Sequence, residues 1–198
     1  MKVDGIILAA GLSSRMVDNK LLLAFRESFI IRHIVMVLLE SNLDRLVIVT
    51  GRDEDKVKHT LEGLPVEFVH NKDYKTGQSS SVSLGVKHLK DSQAIMFFMG
   101  DQPLIKAEII NDMIGSFLIS DKSILVPYYH EKRGNPVIFQ SKWFDKLMDL
   151  SGDYGGRYII KAHPEELEKY IIKEKHFFLD VDTKENYAFL QALEKSSD

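Results

Sequence analysis

The sequence predicts an α/β protein with a mostly parallel central sheet that is covered by helices on both faces. Short apolar runs of strand length alternate with amphipathic stretches whose apolar residues recur at helical spacing. No low-complexity segment, Pro/Gly-rich linker or internal repeat interrupts this alternation. Repeated strand–helix alternation implies right-handed crossovers, which place successive strands parallel to one another.

The first two thirds of the chain carry the regular part of this pattern. The apolar runs predict strands at residues 3–10, 45–51, 65–70, 94–100 and 123–129. The amphipathic stretches predict helices at residues 29–41, 53–63, 79–90 and 106–120, with Asp53 as a helix cap. The run AIMFFMG is the most apolar in the chain, so its strand is expected at the centre of the sheet.

The last third is less regular and is expected to belong to the same domain. It predicts, in order, a strand at 135–139, a helix at 141–150, a turn at 151–156, strands at 169–173 and 177–182, and a closing helix from Lys184. This part is expected to supply an edge strand and a cap on the substrate side. Ligands of open parallel sheets bind beyond the carboxyl ends of the strands, so residues that directly follow a strand are the site candidates.

Composition excludes several classes of protein. The 198 residues include 26 Lys and Arg and 29 Asp and Glu, a net charge of −3, which gives no global basic field for nucleic acid. There is no cysteine, which excludes disulfides, thiolate catalysis and Cys-ligated metal centres. No run of about 18 apolar residues predicts a membrane span, and the apolar run after Asp4 is too short for a signal peptide. A cytoplasmic protein is therefore expected.

The stretch IILAAGLSSRMVDNK ends a strand with small residues and continues with two cations. Small residues let backbone N–H groups approach a ligand closely. Arg15 and Lys20 offer donors for phosphate, Arg as a planar fork and Lys as a point charge. The alternative is a glycine turn followed by two solvated surface charges. Neither the G-x-x-x-x-G-K-[ST] loop nor the G-x-G-x-x-G fingerprint is present.

Two further segments place polar groups after predicted strands. Asp101, in FFMGDQPL, follows the most apolar strand, where a carboxylate can hold Mg²⁺ against a triphosphate. The alternative is a cap for the helix that begins near Ile105. In NKDYKTGQSSSVSLG, a glycine, Gln78 and three serines open a helix, and this arrangement suits a polar or anionic ligand. Ordinary capping by Ser79 or Ser80 explains it equally well.

Three late segments carry charged residues and glycines. FLDVDT places Asp180 and Asp182 two residues apart, so in a strand they share a face, which favours a metal ion or a solvent-exposed edge. RGNPVIF and SGDYGGR form either a second binding loop or simple turns. The seven histidines lack metal-ligand spacing and no G-x-S-x-G elbow is present, so neither a zinc site nor a hydrolase triad is supported.

Together, these motifs resemble one family, the nucleotidyltransferases of the molybdenum cofactor type, over almost the whole chain. They are, in order, LAAG-x-S-x-R-M-x-x-x-K, G-x-x-x-S, GDQP, RGNPV, GDYGGR and DVDT. The first motif and GDQP occur in many nucleotidyltransferases, whereas the last three resemble the molybdenum cofactor cytidylyltransferases more narrowly. LAAG, rather than LAGG, is similar to the cytidylyl branch. The sequence departs from the family at Val17, where glycine is usual, and at Asn135, where histidine is frequent.

The resemblance implies a fold and an activity. The fold is a three-layer Rossmann-like nucleotidyltransferase fold, similar to that of glycosyltransferase A, in one domain at 1–198. Residues 1–104 would mainly bind the nucleotide and 105–198 mainly the acceptor. The activity is an Mg²⁺-dependent transfer of CMP from CTP to a phosphorylated acceptor, with release of pyrophosphate. Molybdopterin is the favoured acceptor. Because an acceptor phosphate is already ionised, catalysis rests on positioning and charge neutralisation rather than on a general base.

The resemblance also assigns roles to residues. Arg15 and Lys20 would neutralise the triphosphate, and Asp101 would hold Mg²⁺ with Asp182, or with Asp180, as second ligand. The other nucleotide-binding residues would be Leu8, Ala9, Ala10, Gly11, Gly77 and Ser81. The acceptor-binding residues would be Arg133, Asn135, Asp153 and Arg157.

Three alternative functions stand beside this one. The first is a transferase for a sugar, polyol or isoprenoid phosphate. The second is a non-catalytic nucleotide-binding maturation factor for a molybdoenzyme. A molybdoenzyme is also a candidate partner if the chain is a nucleotidyltransferase. The retained Asp101, Arg15 and Lys20 favour activity, because a sensor needs no metal carboxylate. The third is a Rossmann-type dehydrogenase, against which the missing fingerprint stands. Neither nucleic acid nor a membrane is expected as a partner.

Overall fold

The computed structural model of the chain describes residues 1–11, 19–152 and 155–195. Its strands are β1 (Val3–Ala9), β2 (Ala24–Phe25), β3 (Ser28–Phe29), β4 (Leu46–Thr50), β5 (Glu67–His70), β6 (Ala94–Met99), β7 (Ile124–Tyr129), β8 (Lys132–Arg133), β9 (Val137–Gln140) and β10 (Leu167–Ile171). Its helices are α1 (Ile30–Leu39), α2 (Glu54–Thr60), α3 (Gln78–His88), α4 (Ala107–Ile119), α5 (Phe144–Met148), α6 (Arg157–Ala162) and α7 (Lys184–Lys195). Short 3₁₀ turns cover Lys20–Leu22, Tyr74–Thr76, Ser141–Trp143 and Pro164–Glu166.

The main sheet confirms the predicted fold class. Its strand order in the described part of the chain is β10-β7-β9-β6-β1-β4-β5, with β8 paired to β7. β6, β1, β4 and β5 are parallel neighbours, as are β7 and β10. β6 lies between β1 and β9, at the central position that its apolar sequence predicts. The last third supplies the edge strand β10, but it also inserts β9 inside the sheet, antiparallel to β6 and β7.

Alternate residues of the central strands build two separate hydrophobic layers. Ile6 and Val47 belong to a buried cluster with α3, α5 and α6, whereas Ile7 and Ile48 belong to another with α1, α2, α4 and α7. All four side chains are fully buried, and each burial contributes roughly 1.5–3 kcal/mol to folding. The sheet is therefore covered on both faces, as expected. None of the helices in the described ranges has the length and apolar character needed to cross a bilayer.

Gly85 allows α3 to pack tightly on β1. A Cβ atom at this position would lie 2.9 Å from Cδ1 of Ile6, which is closer than side chains normally pack. Because the helix lies so near the strand, the amino end of α3 and the carboxyl end of β1 come together at one edge of the sheet, where they line a common cavity.

The structure contradicts the strand predicted at 177–182. The last ladder bond of β10 runs from the Ile172 N–H to the Tyr128 carbonyl, after which the chain turns away through a charged segment. The Val181 N–H then donates to the Asp101 carbonyl at 3.0 Å. Asp180 and Asp182 therefore reach the end of β6 through a loop, and the shared strand face does not exist. α6 is a further element that the sequence did not predict.

None of the candidate helix caps, whether predicted at Asp53 or considered as alternatives at Ser79, Ser80 and Asp101, makes a capping hydrogen bond with its side chain. Asp53 does precede α2, but its carboxylate accepts from Asn19 Nδ2 at 3.0 Å instead of capping the helix. α3 begins after Gly77, and neither Ser79 nor Ser80 caps it. α4 begins after Lys106, so Asp101 is not its cap. The carboxylate of Asp101 is thus used for something other than helix capping.

Candidate nucleotide and acceptor site

The carboxyl ends of β1 and β6 form the base of the site. The Gly100 N–H donates to the Leu8 carbonyl at 3.2 Å, which ties the segment after β6 to the end of β1. Asp101 follows directly and is buried, with 7% of its surface exposed. The segments that follow two of the predicted strands, which the sequence marked as site candidates, therefore lie side by side at this edge of the sheet.

Lys20 bridges two of the carboxylates that were predicted to hold a metal ion. Its Nζ donates to Asp101 Oδ2 and, at 2.6 Å, to Asp182 Oδ1. The side chains of Lys20 and Asp101 are only 15% and 10% exposed. Burial lowers the pKa of Lys20, but the carboxylates of Asp101 and Asp182 outweigh it, so that the pKa is raised and the lysine is charged.

Asp180 adds a third carboxylate to this cluster. Its Oδ1 accepts from Gln102 Nε2 at 2.8 Å, and Gln102 is itself buried. Burial, followed by repulsion from the Asp101 carboxylate, raises the pKa of Asp180 to about 6. Near neutral pH, Lys20 thus faces three carboxylates among the described residues.

The chemistry of these residues fits a divalent cation. Within the described ranges no set of three or more Asp, Glu, His or Cys side chains is arranged to hold a metal, because Lys20 stands between Asp101 and Asp182. However, the buried Oδ1 of Asp101 has no hydrogen-bond partner in the same part of the chain. A desolvated carboxylate oxygen that lies near two further carboxylates is a suitable ligand for a hard cation.

A cavity of about 290 Å³ opens above Lys20 and Asp101. Its walls come from the end of β1, the start of α3, the Tyr74–Thr76 turn and the segment after β6. Its lining residues are Leu8, Ala10, Gly11, Lys20, Leu21, Tyr74, Lys75, Gly77, Gln78, Ser81, Met99, Gly100 and Asp101. Ser81 Oγ accepts from the buried Asn71 Nδ2 at 2.9 Å, which fixes the serine on the cavity wall.

A second cavity of about 480 Å³ adjoins the first. Its polar groups include Arg133, Asn135 and Arg157, and the rest of its wall is largely apolar. The complete lining is Leu8, Gln78, Val82, Phe97, Met99, Arg133, Gly134, Asn135, Val137, Phe139, Leu147, Gly155, Gly156, Arg157 and Ile160. Burial and the neighbouring Arg157 lower the pKa of Arg133. Two guanidinium groups that repel each other across a cavity favour an anionic ligand between them.

The structure brings most of the predicted site residues to these two cavities. Ala9 is an exception, because its side chain belongs to the core beneath the site. Arg15, Val17 and Asp153 lie outside the described residues. Sequence reasoning missed the cavity-lining roles of Tyr74, Lys75 and Met99, whereas Gln78 belongs to the helix start that was expected to suit a polar or anionic ligand. Tyr74 and Lys75 lie in the same segment, so the available signal was their position close to Gly77.

His33 supports the GDQP segment from below. It lies on α1, half-buried, with its ring 4.9 Å from that of Phe25 and an imidazole hydrogen bond to the Pro103 carbonyl. Burial, then the Arg26 charge, lowers the pKa of His33 to about 4. The ring is therefore neutral in the folded protein at pH 7.

His33→Gln is expected to flatten the acid dependence of stability. A histidine whose folded pKa is depressed to about 4 contributes stability that is fully present above pH 6.5 and is lost as the pH falls toward 4. Allowing for partial exposure, the loss amounts to about 2 kcal/mol. Urea unfolding curves at about pH 7.5, 6, 5 and 4 give the free energy of unfolding at each pH and so measure this loss. If the free energy of unfolding falls with pH as steeply in His33→Gln as in the wild type, His33 is not the cause of the acid dependence. His59→Gln, on the exposed surface of α2, is the control.

The edge that joins β1 and β6, together with its paired cavities, defines an α/β protein of the nucleotidyltransferase class. The chain belongs to the family of the MobA-like NTP transferase domain, whose family model matches residues 5–167. This match confirms the family that the sequence motifs resemble. It also supports nucleotidyl transfer as the kind of reaction involved.

Individual relatives extend this result. The chain is 29% identical over 145 residues to the bifunctional protein GlmU of Francisella tularensis subsp. holarctica (strain OSU18), a match that covers 72% of this chain and 31% of GlmU. The chain therefore spans about a third of the length of the curated relatives it matches.

Solved structures are similar over nearly the whole chain. Rv0371c of Mycobacterium tuberculosis H37Rv, also solved in complex with manganese, has a TM-score of 0.85 at 22% identity, covering 96% of this chain and 97% of its own. A cytidylyltransferase of Leptospira borgpetersenii serovar Hardjo-bovis (strain JB197) has a TM-score of 0.79 at 21% identity, covering 99% and 87%. These similarities show that the fold is shared.

Proposed function

We propose that this chain is an Mg²⁺-dependent nucleotidyltransferase that moves CMP from CTP to molybdopterin and releases pyrophosphate. The observation that carries the proposal is the junction of two cavities, one beside Lys20 and Asp101 and the other beside Arg133 and Arg157. A triphosphate in the first cavity and an acceptor phosphate in the second meet where the cavities join. The cytidylyltransferase fold of the Leptospira protein and the LAAG motif favour CTP as donor.

The nucleotide side of the mechanism rests on charge neutralisation. Lys20, which is paired with Asp101 and Asp182, would bind the triphosphate, while Asp101 and Asp182 would hold the cation. The family resemblance assigns Arg15 to the triphosphate as well. Mg²⁺, when bound there, would neutralise the phosphate charge that builds up during transfer. The backbone at Ala9, Ala10 and Gly11, with Leu8, Gly77 and Ser81, surrounds the base and ribose.

The acceptor side holds an anion against an apolar wall. Arg133 and Arg157 would bind the acceptor phosphate, with Asn135 in the lining of the same cavity. Asp153, which lies outside the described residues, is assigned to the acceptor by the family resemblance alone. The phosphate oxygen needs no general base, because it is already ionised when it attacks the α-phosphorus. The whole chain would act as one domain, in the cytoplasm. Its two halves would share the acceptor, because Phe97 and other residues before 104 also line the acceptor cavity. A molybdoenzyme that receives the product is the proposed protein partner.

Pyrophosphate release from a matrix of donors and acceptors tests this proposal. Each of the four common nucleoside triphosphates is combined with molybdopterin, a sugar 1-phosphate, a polyol phosphate and an isoprenoid monophosphate. CTP with molybdopterin is expected to exceed every other pair by about tenfold or more, a ratio that about 1.4 kcal/mol of selectivity would give. EDTA should abolish release, and Mg²⁺ should restore it.

Other outcomes discriminate among the alternatives. Release only with GTP, or only with a sugar phosphate, would reject the cytidylyl or the molybdopterin part of the proposal respectively. CTP binding measured by calorimetry, without pyrophosphate release from any pair, would instead support a non-catalytic maturation factor.

A further inference from the structure

The two cavities share a wall, and Gln78 is the polar side chain on it. The residues that line both cavities are Leu8, Gln78 and Met99. Leu8 and Met99 present apolar or weakly accepting groups, whereas a carboxamide offers two strong donors and an acceptor. In a transfer between the two cavities, the phosphate that changes partners must pass this wall.

The local structure fixes Gln78 in this place. Gln78 is the first residue of α3, and the Ser79 N–H behind it donates to the Gly152 carbonyl at 3.1 Å. Its Oε1 faces Gly155, and a Cβ atom added at Gly155 would lie 3.0 Å from this oxygen. Gly155 also has a φ of 48°, so two constraints favour glycine there. The carboxamide is therefore held between the end of β6 and the turn that leads to Arg157.

The Nε2 group of Gln78 is directed at the wall that the two cavities share. It donates to Met99 Sδ at 3.4 Å, and a thioether is a weak acceptor. A phosphate oxygen in either cavity would be a much stronger acceptor for the same donor. A neutral donor also adds no charge to the repulsion already present between Arg133 and Arg157.

We propose that Gln78 is a further catalytic residue, whose Nε2 donates to the α-phosphate while it passes from CTP to the acceptor. This inference rests on the proposed function. In the step, an acceptor phosphate oxygen forms a bond to the α-phosphorus, and the bond from that phosphorus to the bridging oxygen of the β-phosphate breaks. Pyrophosphate leaves with the electron pair of that bond. A fixed donor at the junction stabilises the charge on the non-bridging oxygens in the transition state.

Two substitutions separate the donor from the shape of the side chain. Gln78→Leu removes both hydrogen-bonding groups at similar volume, and Gln78→Glu keeps the shape but brings a negative charge to both cavities. An acidic residue in the first turn of α3 is favourable for the helix, so the Glu variant folds even if the Leu variant does not. Gln93→Leu and Gln93→Glu are matched controls, because Gln93 precedes β6 at the opposite edge, where it accepts from the Lys2 N–H at 2.7 Å.

Steady-state pyrophosphate release is the first readout. Gln78→Leu is expected to lower kcat about 100-fold, the usual effect of losing one transition-state donor, while the KM for CTP stays within about threefold. The Gln93 variants should match the wild type. Turnover of Gln78→Leu within about twofold of wild type overturns the inference, whereas a wild type that is inactive with every acceptor overturns the proposed function instead.

Ligand binding is the second readout and does not depend on turnover. Calorimetry with CTP, and separately with inorganic phosphate, reports on the two cavities, and Arg157→Ala identifies the part of the phosphate signal that belongs to the second. Gln78→Glu is expected to weaken both ligands by about tenfold, because its charge faces both. If either affinity is unchanged, Gln78 does not lie between the two ligands and the inference fails.

Discussion

Asp101→Asn is expected to lower turnover about 1,000-fold while leaving the protein folded. The substitution keeps the size of the side chain but removes the charge that would hold a cation. Two contacts preserve the local fold, because the Asp101 carbonyl still accepts from the Val181 N–H, and Lys20 keeps its second partner, Asp182. The thermal midpoint should therefore shift by no more than a few degrees.

Kinetics and metal binding check this prediction together. Pyrophosphate release gives kcat, and electron paramagnetic resonance of added Mn²⁺ reports cation binding without turnover. Asp121→Asn is the control, because Asp121 is exposed and lies beyond the end of α4. Turnover of Asp101→Asn within about tenfold of wild type would contradict a metal role for this carboxylate.

Lys20→Met is expected to lower turnover by a similar factor but to strengthen the binding of cations alone. Without the lysine, the carboxylates of Asp101, Asp180 and Asp182 repel one another more strongly, so the metal-free protein should lose about 2 kcal/mol of stability. A divalent ion can then occupy the position between the carboxylates, and Mn²⁺ should bind about tenfold more tightly without nucleotide. Removal of its phosphate contact accounts for the loss of turnover.

Thermal unfolding with and without Mg²⁺ measures both the loss of stability in the metal-free Lys20→Met protein and its stronger cation binding. The Lys20→Met protein should gain more stability from Mg²⁺ than the wild type does, because the stability added by binding to the native state grows with the logarithm of the affinity. Lys58→Met breaks a surface pair with Glu54 at 2.6 Å and serves as the control, with an expected loss of under about 1 kcal/mol. Equal Mg²⁺ responses in wild type and Lys20→Met would show that the lysine does not compete with the cation.

Much of the site follows from local sequence. Asp101 and the end of β1 were both expected beyond the carboxyl ends of strands, and parallel neighbours in a sheet bring such ends to the same edge. Lys20 was expected nearby because it follows the first strand closely. The pairing of Lys20 with Asp182, 162 residues away, was not predictable from spacing. The reasoning that linked Asp180 and Asp182 was wrong in its geometry, since a loop and not a strand carries them.

Hydrophobic periodicity was sufficient for the five strands and four helices predicted before residue 130, because each one depends on the side chains within a single short window. It did not predict the two-residue strands β2 and β3. Periodicity says nothing about which strands pair, and the packing of both layers was needed to insert β9 between β6 and β7. That insertion carries Arg133 and Asn135 to the edge where β1 and β6 end. The same packing gives Gln78 a place in two cavities at once. Such a position is a property of the whole sheet, since it depends on contacts between segments that are far apart in the chain.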